Sequence, residues 1–407
     1  MEIFSSAEIL LPDVKDLSAW AVIACDQFTS DADYWKETER LTGDAPSALH
    51  LILPEIFLET PDMKKRIEKI HACMEEYLKN HVFRSYPDTM IYTERIQSDQ
   101  VLRTGVIGKI DLEAYDYHEG SVSPIRATEA TVLDRIPPRM QIREHACLEL
   151  PHIMILIDDP GDTVIGGCME QKTEMEQLYD TDLMQGGGHV TGWRMNQAQQ
   201  AAFQARLQKL FSETGDLKIA MGDGNHSLAT AKACYEALKK AHPEQDFSNH
   251  PARYALAELV NLHSPALQFE AIHRVVTQTD TADLWKEISD TLALSEIPAE
   301  QSLIAVRNQQ KKKYYIHQTF SSLAVGSLQT ALDKYLKNHP GKMDYIHGAE
   351  NAEHLANQPD GIAFLLPDMN KKELFPAVSQ SGALPRKTFS LGHARDKRYY
   401  IEARKIR

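Results

Sequence analysis

Apolar positions along this chain fall into short strand-like runs separated by segments of helical spacing. The runs are Trp20–Ala24, Met90–Thr93, Val101–Asp111, Ile153–Ile157, Leu217–Met221, Ala255–Leu262, Leu303–Val306 and Ile362–Leu366. Apolar residues recurring one helical turn apart predict helices over Asp31–Thr42, Thr60–Asn80, Asn196–Thr214, His226–His242, Thr279–Leu292 and Leu328–Asn338. Strands and helices alternate, which predicts a mixed α/β (α+β) architecture. Local chemistry suggests several ends: Pro61 in the first turn of one helix, Gly215 closing another, and Asp31 and Thr279 as caps. No repeat is visible. The expected division is a core region over 1–276 and a C-terminal α/β lobe over 277–407.

The strongest local pattern lies between Leu217 and Leu238. Leu217, Ile219 and Met221 alternate with Lys218 and Ala220, and Leu228, Ala231, Tyr235 and Leu238 then fall at helical spacing. Between strand and helix stand Gly222, Asp223, Gly224, Asn225, His226 and Ser227. Glycines admit positive φ and close approach of a ligand, and Asn225 or Ser227 can cap the helix. A glycine turn at a helix N-terminus is a general anion site, because orphan N–H groups and the helix dipole both favour negative charge. That dipole disfavours an imidazolium at His226, leaving a neutral ring to accept a proton or attack phosphorus. Asp223 is a candidate base or metal ligand. The plainer alternative is a connecting turn, since Asp-Gly and Asn are common there.

Composition narrows the partners. The chain has 407 residues, 43% hydrophobic and 25% charged, so it can bury an enzyme-sized core. Its formal net charge of -14 disfavours phosphate backbones and anionic membranes, so no nucleic acid or membrane partner is expected. Five scattered cysteines form no C-x-x-C pair, and no signal peptide or membrane-length apolar run is visible. A cytoplasmic protein with reduced thiols is the expectation; oligomeric state is left open.

Other segments offer candidates. Glu129 is a candidate base, with Thr131 beside it and Arg135 as a phosphate clamp, or the segment holds an Arg–Asp surface network. Gln185–His189, with three glycines, reads as a lid, a phosphate nest or a plain surface loop. His273 and Arg274 follow a short apolar stretch, and a buried arginine there needs an anionic partner. Lys387 lies in a cationic C-terminal segment. Asp26 follows a strand and can face a pocket or magnesium. No P-loop and no G-x-S-x-G elbow occurs.

With these residues in view, the chain resembles the family called domain of unknown function 1015. Gly222–Ser227 resembles its Asp-Gly-His-His-Arg signature; Thr128–Thr131 with Asp134-Arg135 is similar to its His-Glu-x-Thr and Asp-Arg blocks. Ala271–Val275 and Asp344–Gly348 match two further blocks, and Leu384–Phe389 resembles its C-terminal Met-Pro-x-Lys-Ser-Thr block. Here Asn225, Ser227 and Thr128 stand where the family pattern has His, Arg and His, so this is a divergent branch. The signature turn is similar to that of the superfamily of ParB proteins, sulfiredoxin and free-serine kinases, where it tends to hold nucleotide phosphates. The resemblance implies a ParB/serine-kinase-like core and, by analogy, phosphoryl or nucleotide chemistry.

The expected function is phosphoryl transfer on a small phosphorylated metabolite, as a serine or phosphoserine kinase or phosphatase. Asp223, His226 and Glu129 are its candidate catalytic residues. Gly222, Gly224, Asn225, Ser227, Thr131, Arg135, His273, Arg274 and Lys387 are its candidate binding residues, and Mg²⁺ (through Asp26) and a nucleotide are candidate cofactors. The alternative is a nucleotide-binding regulatory protein without turnover.

Overall fold

A computed structural model of the chain describes residues 2–118 and 120–407. It is mixed α/β, with eleven α-helices among the described residues. The chain forms two compact units: Met1–Ala127, Thr131–Leu267 and His393–Arg407 make the first, and Thr128–Ala130 with Gln268–Gly392 the second.

The first unit is built on a ten-stranded sheet. Its order is Glu176–Leu183, Gly188–Arg194, Ile91–Ile96, Leu102–Asp111, Tyr254–Asn261, Met154–Ile157, Ile219–Asp223, Ile125–Arg126 and Tyr115–Asp116, with Phe4–Ser5 also pairing with Leu102–Asp111. The continuous apolar run Met154–Ile157 is buried at every position, as a central strand covered on both faces requires. It lies antiparallel to Ile219–Asp223, with Met154 opposite Asp223. The start of one strand therefore meets the end of the other. Leu228, Ala231 and Tyr235 bury one face of the Asn225–Ala241 helix in the adjoining core.

The C-terminal segment returns to this unit. Tyr399–Tyr400 pairs with Val22–Ile23, and Arg404–Lys405 with Leu148–Glu149. Arg398 enters the interior, where its Nε is 3.1 Å from Glu258 and its Nη2 is 2.5 Å from Glu402. Two opposed carboxylates thus satisfy a guanidinium whose burial would otherwise be prohibitive.

The second unit holds a six-stranded sheet, in the order Gln310–Ile316, Gln301–Arg307, Ile362–Leu365, Phe269–Thr277 and Lys342–His347, with Phe389–Leu391 also pairing with Phe269–Thr277. Helices Thr281–Leu292 and Ala324–Leu336 contribute Leu284, Ile288, Leu328 and Leu332 to its core.

Several local expectations need correction. Trp20 ends a short helix, Leu17–Trp20, and only Val22–Ile23 of that run is strand. The helix expected from Thr60 begins at Met63, so Pro61 precedes it. Asp280, not Thr279, caps Thr281–Leu292 through the N–H groups of Ala282 and Asp283. Asn225 and Ser227 are helical, and Gly224 is the cap residue. The glycines at 186–188 connect two paired strands, and His189 within the second is held by Asp182 at 2.7 Å and Asp180 at 2.5 Å. That segment is a hairpin connection.

Candidate functional site

Strand Ile219–Asp223 delivers the chain to Gly224 at φ 81°, and the helix Asn225–Ala241 starts without a side-chain cap. Glycine is required twice over at 224. The left-handed backbone favours it, and a Cβ there would sit 3.1 Å from Ile153 Cα. Close approach of the Gly224 turn to Ile153 is what brings His152 beside it. The first turn of any helix carries N–H groups with no intrahelical acceptor, so this uncapped end presents donors and positive potential.

His152 is the hub of the arrangement. The ring is buried, at 4% exposure. Its Nδ1 is 2.6 Å from the Tyr400 hydroxyl, which also receives the Cys25 N–H at 3.1 Å. Its Nε2 is 3.1 Å from Ser227 Oγ and 3.6 Å from Asp26 Oδ2. Burial disfavours the imidazolium, but Asp26, with Asp223 and Glu55 beyond it, outweighs that and raises the His152 pKa above its ordinary value. Burial likewise works against the Asp26 carboxylate; His152, Gln27 and Lys397 overcome it and hold its pKa below the ordinary range. Asp26 is thus the counter-charge that stabilises His152 whenever the ring is protonated.

A second pair lies next to the first. Asp223 Oδ2 is 3.3 Å from Lys397 Nζ, and Asp223 Oδ1 accepts the Gly224 N–H at 3.0 Å. Asp223 thus fastens the turn to the C-terminal segment.

His152 and Ser227 border a cavity of about 130 Å³. Ser227, Thr230, His152, Cys25 and Tyr400 line it, with Leu51, Leu53, Leu58, Met74, Ile142 and Leu148 as apolar wall. Arg139 and Arg143 also face it, each neutralised by a carboxylate: Arg139 Nε is 2.8 Å from Glu55, and Arg143 Nη2 is 2.5 Å from Glu149. Burial pushes the Cys25 thiol far up, so it is not a thiolate nucleophile.

Within the first unit the structure thus gathers Asp26 and Ser227 around His152, with Asp223 and Gly224 in the turn beside them. Gly222 packs against Leu156, where a Cβ would meet Leu156 Cγ at 3.0 Å. Asn225 Oδ1 is buried in the first helical turn with no hydrogen-bond partner among the described residues. His226 follows in the same turn, and its carbonyl accepts the Thr230 hydroxyl at 2.7 Å. Its side chain is not among those lining the cavity. Arg135 is exposed, and its carbonyl receives Arg139 Nη1 at 2.6 Å. Thr131 Oγ1 is buried without a partner.

The remaining candidates lie together in the second unit. Glu129 accepts the N–H groups of Lys387 at 3.1 Å and Thr388 at 3.0 Å. Burial raises its pKa against the pull of those hydrogen bonds. Arg274, fully buried, has Nη1 2.9 Å from the Lys387 carbonyl, Nη2 3.2 Å from that of Arg386 and Nε 2.8 Å from Gln329 Oε1. Its cation also lies 4.7 Å from the Tyr345 ring. The anionic partner expected for Arg274 is replaced by neutral oxygens, and burial lowers its pKa to about 10. His273 Nδ1 accepts the Leu366 N–H at 3.2 Å, which ties two strands together.

Among the described residues no three His, Cys, Asp or Glu side chains gather as a metal-holding set. Asp26 is spent on His152 and Gln27. No described helix is long and apolar enough to cross a membrane.

Sequence reading missed His152, Tyr400, Lys397 and Arg139. His152 carried a usable signal, since Pro151-His152 opens a buried strand antiparallel to the one feeding the turn. Tyr400 and Lys397 carried none, because a contact spanning most of the chain leaves no periodic trace.

The fold and cavity define a mixed α/β protein with a glycine turn at a helix N-terminus and a buried histidine beside it. The sequence profile of a family described as "Protein of unknown function (DUF1015)" matches residues 8–335, and the chain belongs to that family. No curated protein matches the sequence significantly. Among solved structures, a free serine kinase in complex with AMP is similar at a TM-score of 0.40 and 11% identity, over 72% of this chain and 93% of that one. A conserved hypothetical protein from Pyrococcus furiosus is similar at 0.37 and 9%, over 72% and 93%. SbnI from Staphylococcus aureus, truncated at its C-terminus, is similar at 0.37 and 8%, over 70% and 82%.

Proposed function

We propose that the first unit is a phosphoryl-transfer enzyme for a small metabolite, with His152 carrying the proton. The observation behind this is the His152 imidazole, 3.1 Å from Ser227 Oγ and 3.6 Å from Asp26, on the wall of a small cavity at an uncapped helix N-terminus. Backbone N–H groups there suit a phosphate, and a proton carrier within reach of a hydroxyl suits making or breaking an ester. Tyr400 fixes the ring from behind, Asp26 stabilises its charged form, and Lys397 with Asp223 holds the turn. The apolar wall and limited volume favour a small ligand over a polymer.

In this proposal His152 takes the proton-carrying role that the sequence suggested for His226. A serine or phosphoserine compound remains the first substrate class to try, in a cytoplasmic setting, with a nucleotide as phosphoryl donor if the direction is that of a kinase. The test is a panel of phosphorylated metabolites, and of hydroxyl metabolites with ATP, each with and without Mg²⁺. Wild type is assayed beside His152→Gln, Asp223→Asn and His226→Ala. Turnover by wild type that disappears in His152→Gln is the expected result. A wild type that binds nucleotide tightly yet transforms nothing would replace this proposal with the regulatory reading.

A further inference from the structure

Three hydroxyls line the cavity at its polar end: Thr230, Tyr400 and Ser227. Thr230 Oγ1 donates to the His226 carbonyl at 2.7 Å. Tyr400 is wedged between Cys25 N and His152 Nδ1, and burial pushes its pKa well above the ordinary value. Ser227 differs in having the other imidazole nitrogen 3.1 Å from its Oγ. When the ring hydrogen sits on Nδ1 and is donated to the Tyr400 oxygen, the Nε2 lone pair is the acceptor for the Ser227 hydroxyl. Asp26 Oδ2, 3.6 Å from that same nitrogen, stabilises the imidazolium formed once the proton has moved. A hydroxyl and a base thus meet at a cavity wall, in Ser227 and His152, with the Asp26 carboxylate beside the base.

We infer that Ser227 is a covalent nucleophile and that the enzyme works through a phosphoserine intermediate. This deepens the phosphoryl-transfer reading and rests on it for the substrate, a phosphomonoester of a small alcohol. Ser227 Oγ attacks phosphorus while its proton passes to His152 Nε2. The Oγ–P bond forms, and the P–O bond to the leaving alcohol breaks with its electron pair on that oxygen. His152 then gives the proton to the departing oxygen. In the second half, water or an acceptor hydroxyl attacks the phosphoserine and loses its proton to His152. The Oγ–P bond breaks, and Ser227 Oγ recovers the proton. Atoms and charge balance without a redox partner.

The test separates nucleophile from substrate. The full-length chain is treated with a small dialkyl fluorophosphate, on which a nucleophilic serine forms an O–P bond and expels fluoride. Intact mass and peptide mapping read the adduct. The expected outcome is one adduct, on Ser227, forming at least ~100-fold more slowly in His152→Gln. Its rate falls on acidification as His152 is protonated, with Asp26, Asp223, Glu55 and Lys397 the charged groups that set where this happens. No adduct, or one mapped elsewhere on wild-type protein, overturns the assignment, and this mapping needs no variant to fold. On any substrate the metabolite panel finds, acid quenching should trap phosphate on Ser227. A folded Ser227→Ala with undiminished turnover would remove the nucleophile and leave phosphoryl transfer standing. Labelled Ser227 with a silent panel would do the reverse.

Discussion

Met154 stands directly opposite Asp223 across two antiparallel strands, and this register sets His152 against the turn that carries Ser227. Only Ile153 separates Met154 from His152, and the left-handed Gly224 directly follows Asp223. Proton carrier and hydroxyl are thereby placed next to two paired central strands, one just before Met154–Ile157 and the other just after Ile219–Asp223. Such mounting is what positioned chemistry demands.

The first consequence is kinetic. His152→Gln retains a polar side chain but removes the proton carrier, and a general acid–base group contributes about 10²–10⁴-fold. On the substrate found by the metabolite panel, kcat/KM of the folded variant should fall by about that factor. An unchanged kcat/KM would put the proton elsewhere.

The second concerns pH. His152 has a folded pKa above its ordinary 6.5, so its protonation contributes stability fully below 6.5 and loses it as pH rises through the folded value. Asp26 has a folded pKa below its ordinary 3.8, so its contribution is present above 3.8 and lost as pH falls through the folded value. Urea unfolding across pH should show the largest excess of wild type over His152→Gln between those limits, shrinking at either side. A constant difference from acid to alkaline pH would contradict the ion pair.

Gly224→Ala tests the turn. Residue 224 would hold a left-handed φ and place a Cβ 3.1 Å from Ile153 Cα. Strain of that kind costs about 1–3 kcal/mol. The denaturation midpoint should drop accordingly with the m-value unchanged. Equal stability would show that the turn relaxes freely.

Arg398→Met tests how the C-terminal segment is anchored. It leaves Glu402, at 1% side-chain exposure, without its cation and Glu258, at 6%, with Arg103 alone at 3.4 Å. Breaking a buried pair in this way costs about 3–5 kcal/mol. Calorimetry should report a large loss of melting temperature, and a loss within experimental scatter would mean that the two carboxylates take up protons instead.

Much of the local structure was legible. The helix at Asn196 was bounded closely because its signal is self-contained: Asn196 and Gln199 satisfy one another's backbone in a capping box. The buried strands were legible as unbroken apolar runs, and the Gly222–Ser227 turn as glycine chemistry between two periodic segments. The Gly224 cap was missed because glycine satisfies it through φ alone, while Asn225 and Ser227 offered side-chain caps that the backbone geometry did not use. Arg274 was misread for a related reason. The apolar stretch before it suggests a buried guanidinium, but not that carbonyl oxygens of residues 386 and 387 will meet it.

The sequence by itself determined the class of fold, the strand–turn–helix unit and the presence of chemistry within it, because periodicity and turn residues act over one or two helical turns. Tertiary structure alone decided which groups face Ser227. His152, Asp26, Tyr400 and Lys397 come from distant points of the chain, and strand register and ion pairing, which have no local signature, bring them to the Asp223–Ser227 turn.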